Sequence, residues 1–172
     1  MRRLILVLSL AVAVFGAVAW FTDGAGAARE TAEARCLGLW PEIEVAADLA
    51  GISPERMAGL LMHESKCLPV EGKRANVTGT GQVAWYWWGP LLAPEGWTDH
   101  ELLDPVWGTI AAGRVLGAIQ GRWSGPPGWR VACTYNAGPA WLRKPPDKYG
   151  SCRYWRAVRR AERKISKARG RR

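Results

Sequence analysis

Apolar residues recur at Met57, Leu60 and Leu61, the i, i+3, i+4 spacing of one helix face. Ser53 is a favoured N-cap and Pro54 a favoured first helical residue, so this helix starts at residue 53 or 54. The next position on its apolar stripe, i+7, is Glu64. Upstream, "CLGLWPEIEVAADLAG" (36–51) predicts a helix with Pro41 near its start and Gly51 as its stop. From Lys66 to about Thr98 the chain is rich in Gly, Pro and Trp without sustained helical period, which predicts a long loop or a short strand region. Helical spacing returns through Ile110, Val115, Leu116 and Ile119 and is broken at Gly125-Pro126-Pro127-Gly128. "WRVACTYNAGPAWL" (129–142) predicts a short buried helix ended by Gly138-Pro139. From Tyr154, apolar Val158, Ala161, Ile165 and Ala168 follow at spacings of 3, 4 and 3 among Arg and Lys, an amphipathic basic helix. The pattern predicts a mainly α fold, without internal repeats, in one domain of common size.

The first residues have a different pattern. Arg2 and Arg3 precede an uncharged stretch from Leu4 to Phe21, and Ala25-Gly26-Ala27 is a small-x-small cleavage pattern. Residues 1–27 therefore read as a signal peptide or a membrane anchor, either of which places the rest of the chain in the periplasm or outside the cell. The expected organisation is a linker at 28–35, a main domain at 36–152 and a basic amphipathic tail at 153–172. Cys36, Cys67, Cys133 and Cys152 include no C-x-x-C, which disfavours a zinc cluster and, with export, favours two disulfides. Three pairings are open; the two short loops, Cys36–Cys67 with Cys133–Cys152, are preferred. No metal or cofactor is expected.

Charge alters the picture at one end only. The formal net charge is +9, and residues 153–172 alone carry ten Lys/Arg and one acid, so the rest of the chain is balanced. A nucleic-acid partner is therefore not expected for the body, whereas an anionic membrane or wall polymer could meet the tail. Eleven tryptophans stand against two phenylalanines. Trp85, Trp87 and Trp88, crowded with Tyr86, cannot all face one core, which predicts that some line a surface groove, where flat rings suit sugar faces.

Glu64 is the first candidate for chemistry. A carboxyl on an apolar face holds its proton to higher pH, as a general acid must. "HES" (63–65), "GTGQV" (79–83) and "TYNAGP" (134–139), with "LLDP" and the Ile110 and Gly113 beyond it, occur in an order that resembles the soluble lytic transglycosylases of the lysozyme-like superfamily. The resemblance covers about Cys36 to Leu142. It implies a lysozyme-like, goose-type helical fold and cleavage of the MurNAc–GlcNAc bond of peptidoglycan with a 1,6-anhydro product. It places the catalytic acid on Glu64 with Ser65 beside it, groove contacts on Gln82 and Asn136, and an orienting hydrogen bond from Tyr135 to Glu64. The chain departs from the family at Thr80 and Gly81, at the Trp run after Gln82 and at Thr134, which bears on groove shape and glycan preference. The reaction needs no second carboxylate, because the substrate's acetamido group assists; Glu71, Asp99, Glu101 and Asp104 read as solvated loop or helix-start residues. The alternatives are a hydrolysing muramidase, such as a phage endolysin, a non-catalytic glycan-binding module and a membrane-surface protein.

Overall fold

The computed structural model describes residues 30–72, 76–122, 128–138 and 153–171. Thr31, its hydroxyl accepting from the Ala34 amide, caps α1 (Ala32–Gly38), so helix replaces part of the expected linker. Helix α2 (Trp40–Ala50) ends at Gly51, whose φ of 63° is the left-handed stop that glycine adopts without a Cβ penalty. Ser53 caps α3 (Pro54–Glu64) as the sequence predicts, its Oγ accepting from the Arg56 amide. The segment after α3 folds into an antiparallel pair, β1 (Val77–Thr78) and β2 (Val83–Ala84), in the register Val77 to Ala84 and Thr78 to Val83.

Helix α4 (Trp85–Leu92) then stands where helical period is absent from the sequence. It has no capping side chain and carries Pro90 inside, so packing rather than propensity holds it: Trp88 and Leu92 enter the core while Tyr86 stays exposed. Two 3-10 turns lead to Asp104, whose carboxylate accepts from the Val106 and Trp107 amides at the start of α5 (Pro105–Gln120). Short α6 (Trp129–Ala137) ends at Gly138, and α7 (Arg153–Arg169) closes the chain. Among the described residues the fold is mainly helical, with seven α-helices and one two-stranded ribbon.

Helix α7 corrects the expected separate tail. Its apolar face, Tyr154, Val158, Ala161 and Ile165, is buried in the same core as α3. Residues 31–172 form one compact unit, so 152/153 is not a domain boundary. The approach is close because Gly59 has no side chain: a Cβ there would lie 2.7 Å from the Glu162 backbone nitrogen. Glu162 receives Arg159 at 2.6 Å and Arg56 at 3.8 Å, and Arg169 pairs with Glu55 and lies 4.4 Å above the Trp40 ring. Cys36–Cys67 is a disulfide, tying α1 to the turn that succeeds α3. Cys133 is also disulfide-bonded, while Cys152, its expected partner, lies outside the described residues. Among the described residues no helix is long and apolar enough to cross a membrane; the expected signal or anchor at 1–27 lies outside them.

Candidate functional site

Glu64 is the last residue of α3, and beyond it the chain turns sharply: Lys66 and Cys67 both adopt positive φ, 65° and 57°. Two consecutive non-glycine residues in that region are costly and persist only where surrounding contacts impose them. Here the Cys36–Cys67 disulfide and the Arg35 guanidinium, donating to the Lys66 carbonyl at 3.1 Å, hold the turn. Ser65 is buried and works in the same frame. Its hydroxyl donates to the Thr80 carbonyl at 2.6 Å and accepts from the Leu68 amide at 3.1 Å, fastening the helix end to the loop before β2. That is a scaffolding role, although Ser65 also borders the cleft.

The cleft beside Glu64 has a volume of about 700 Å³. Glu64, His63, Tyr135 and Asn136 line it together with Gln82, Ala84 and Trp87, and Ser65, Lys66, Val70, Glu71, Gly72 and Val77 complete it. The four residues expected around Glu64 therefore do meet in one place. Hydrogen bonds within the protein bear on their expected roles in two places.

The first concerns Tyr135. Its hydroxyl donates to the Gly81 carbonyl at 2.7 Å and not to Glu64. Gly81 permits this approach, since a Cβ there would sit 2.9 Å from Tyr135 Oη and 2.5 Å from Ala112 Cβ. The departure at Gly81 thus has a packing reason, and Thr80 has another: it is fully buried and its hydroxyl pairs with that of Thr109 at 3.1 Å. The hydroxyl that does reach Glu64 belongs to Tyr154, on α7, and donates to Glu64 Oε1. Oε2 has no hydrogen-bond partner among the described residues. Tyr154 opens the apolar stripe of α7, one helical turn before Val158, and that spacing is its only signal along the chain. The crossing of α3 and α7 reveals its function.

The second concerns Gln82. It adopts a φ of 50° and its amide nitrogen donates to the Val70 and Gly79 carbonyls at 2.8 and 2.9 Å. Both amide protons are thereby engaged, so what Gln82 can offer a ligand is its carbonyl oxygen. Asn136 is exposed on the cleft wall with its amide open to solvent. Trp87 is 41% exposed on the cleft wall, whereas Trp88 is buried, so the aromatic run divides between groove and core.

Burial pushes the Glu64 carboxyl from 4.5 up to about 7, against the smaller opposing effect of the Tyr154 hydrogen bond. Tyr135 and Tyr154 are both pushed well above the ordinary phenol value by burial and then by the nearby Glu64 charge. His63 shifts downward through burial and then the Lys66 and Arg160 cations, and its ring meets Tyr154 edge-on at 5.1 Å. At neutral pH the site therefore holds a carboxylic acid that is poised to lose its proton, beside a neutral imidazole. Among the described residues no cluster of His, Cys, Asp and Glu could hold a metal ion.

Comparison with protein-family models, with curated proteins and with solved structures finds no match for the chain.

The two tyrosines can be told apart by titration. Tyr154→Phe removes the hydrogen bond that favours ionised Glu64, so the Glu64 pKa should rise above its present value. Tyr135→Phe should barely move it and should instead lower stability by about 1–3 kcal/mol, the cost of leaving the Gly81 carbonyl unpaired. NMR titration of the carboxyl carbon, with thermal melts of each variant, measures both.

Proposed function

We propose that the protein is a lysozyme-like lytic transglycosylase that cleaves peptidoglycan between MurNAc and GlcNAc, outside the cytoplasm. One observation carries this reading: the Glu64 carboxyl, displaced to about 7 by burial and gripped on one oxygen by Tyr154, opens onto a cleft of a size suited to sugar rings. The ordered motifs around Glu64, Gln82 and Tyr135-Asn136 support the same reaction.

In that reaction Glu64 gives its proton from Oε2 to the glycosidic oxygen as the bond from C1 of MurNAc breaks. The 2-acetamido oxygen of MurNAc closes on C1 and carries the positive charge. Glu64, now a carboxylate, accepts the proton of the C6 hydroxyl while that oxygen bonds C1 and displaces the acetamido oxygen. The product is a 1,6-anhydromuramoyl end, no water is consumed, and Glu64 regains its starting state. Tyr154 fixes the carboxyl through Oε1 and stabilises the carboxylate that forms midway. Gln82 accepts from a sugar hydroxyl or amide, Asn136 can donate or accept, and Trp87 offers a flat apolar wall to a ring face.

A second reading is hydrolysis by the same acid, and one observation favours it. Glu71, expected to be a solvated loop residue, lies on the cleft wall with its backbone bridged to Thr78. A carboxylate so placed could activate water, as in hydrolysing muramidases. Clearing of a peptidoglycan suspension by the purified protein and by Glu71→Gln distinguishes the two. The transglycosylase reading expects the variant to retain most of its activity, whereas losing a required base would cost about a hundredfold or more.

A further inference from the structure

We infer that the outward face of α7 is a docking surface for the carboxylate-bearing peptide stems of the wall polymer whose glycan enters the cleft. The choice of polymer rests on the function proposed above; the surface itself rests on the distribution of charge. Two sets of basic residues stand apart on α3 and α7, while Arg156, exposed on the same side, is engaged in an interaction of its own. Arg56, Arg159 and Arg169, which lean on the body, have the carboxylates of Glu162 and Glu55 as partners. Arg153, Arg160, Arg163, Lys164 and Lys167 are exposed and form no ion pair among the described residues. At about 100° per residue these five fall within an arc of roughly 100°, and at ~1.5 Å per residue the row runs for about 21 Å. Arg171 continues it in the closing turn.

Such a row is electrostatically costly unless an anion meets it, because five like charges on one stripe repel each other across adjacent turns. Among the described residues it takes no part in the core, whose contacts the opposite face of α7 supplies. The partner's chemistry is set by the surroundings of the row. Its exposed neighbours include Arg156, Ser166 and Gly170, and Trp155 lies half-buried with the Arg56 and Arg159 guanidinium groups 5.4 and 5.7 Å from its ring centroid. With its apolar face committed to the core, the helix has nothing to insert into a bilayer, unlike an interfacial amphipathic helix. The row starts near the candidate site: Tyr154, one residue from Arg153, holds Glu64, and the Arg160 cation contributes to the lowered pKa of His63 on the cleft wall. Peptide stems of an uncrosslinked wall are rich in carboxylates and carry the complementary charge.

Arg163→Gln, Lys164→Gln, Lys167→Gln and Arg171→Gln combined remove the part of the row away from the cleft. All four side chains are exposed, so folding should be unchanged by thermal melt. Binding is read by co-sedimentation, in a Glu64→Gln background so that the wall stays intact. The probes are sacculi, sacculi stripped of stems by an amidase, phosphatidylglycerol vesicles and a DNA duplex. The expected result is that the row-neutralised protein binds intact sacculi at least about tenfold more weakly and with less salt dependence. Binding to stripped sacculi should be weak and equal for both proteins. With Glu64 restored, turnover of short peptide-free glycans should be unaffected by the four changes. Undiminished pelleting with intact sacculi overturns the inference, as does row-dependent binding that appears only with vesicles or DNA. Charge-dependent sacculus binding by a protein that cleaves no glycan would leave this surface standing and remove the proposed reaction.

Discussion

Replacing Glu64 with Gln should leave a folded protein whose cleavage of peptidoglycan falls at least about a hundredfold. The amide can accept from Tyr154 as the carboxyl does, but it has no proton to give to the glycosidic oxygen. The same substitution has a second expected effect, on stability. Because the native pKa of about 7 lies above the ordinary 4.5, the folded state holds the Glu64 proton more tightly than the unfolded chain. The stability tied to that proton is full below 4.5 and declines as pH rises through about 7. Glu64→Gln escapes the decline. It should be more stable than the wild type at pH 8, by up to about 3 kcal/mol at roughly 1.4 kcal/mol per unit of displacement, and should match it below pH 4.5. Melts across this range, beside turbidity clearing, give two independent readouts of one carboxyl. An active Gln variant would remove Glu64 from the reaction, and a Gln variant without the alkaline gain would remove its burial as the cause of the shift.

The second large effect is expected from ending the chain after Cys152. If residues 153–172 served only to localise the protein, a truncated chain would still carry out the proposed turnover of soluble glycans. The structure leads to the opposite expectation. Truncation strips α3 of its cover and takes with it the buried Tyr154, Val158, Ala161 and Ile165. At about 1.5–3 kcal/mol for each large apolar side chain, the loss rivals the roughly 5–15 kcal/mol that holds a whole domain together. The truncated chain should show no cooperative melt and no activity on any substrate. Cooperative unfolding near the full-length temperature would mean that α7 is dispensable to the core.

The contrast between Glu64 and Tyr154 marks how far the sequence can be read. Glu64 is legible because its signals are local: a cap at Ser53, a stripe through Met57, Leu60 and Leu61, and a carboxyl at the stripe's next position. The stops at Gly51 and Gly138 and the cap at Asp104 are local in the same way, each being a property of a few adjacent residues. Tyr154 lies 90 residues from Glu64, and only the packing of α7 on α3 brings them together. The density of Arg and Lys on α7 also draws attention to its exposed face and away from its buried one. Helix α4 is invisible along the chain because four consecutive aromatic residues carry no helical period and Pro90 argues against helix, so tertiary packing overrides both signals. Tyr135 reaches the cleft but binds a different partner from the one the resemblance implies. Its hydroxyl is taken by the Gly81 carbonyl, an approach that depends on the missing Cβ at Gly81, and such a contact has no signature along the chain.

In the proposed reaction Glu64 drives an intramolecular cleavage in which the C6 hydroxyl, and no water, closes on C1. Mass spectrometry of the muropeptides released in ¹⁸O-labelled water tests it most directly. The expected products are anhydromuramoyl ends, one water lighter than hydrolytic products and free of ¹⁸O, all of them lost in Glu64→Gln. Reducing ends that carry ¹⁸O at C1 would contradict it and assign the cleft to hydrolysis.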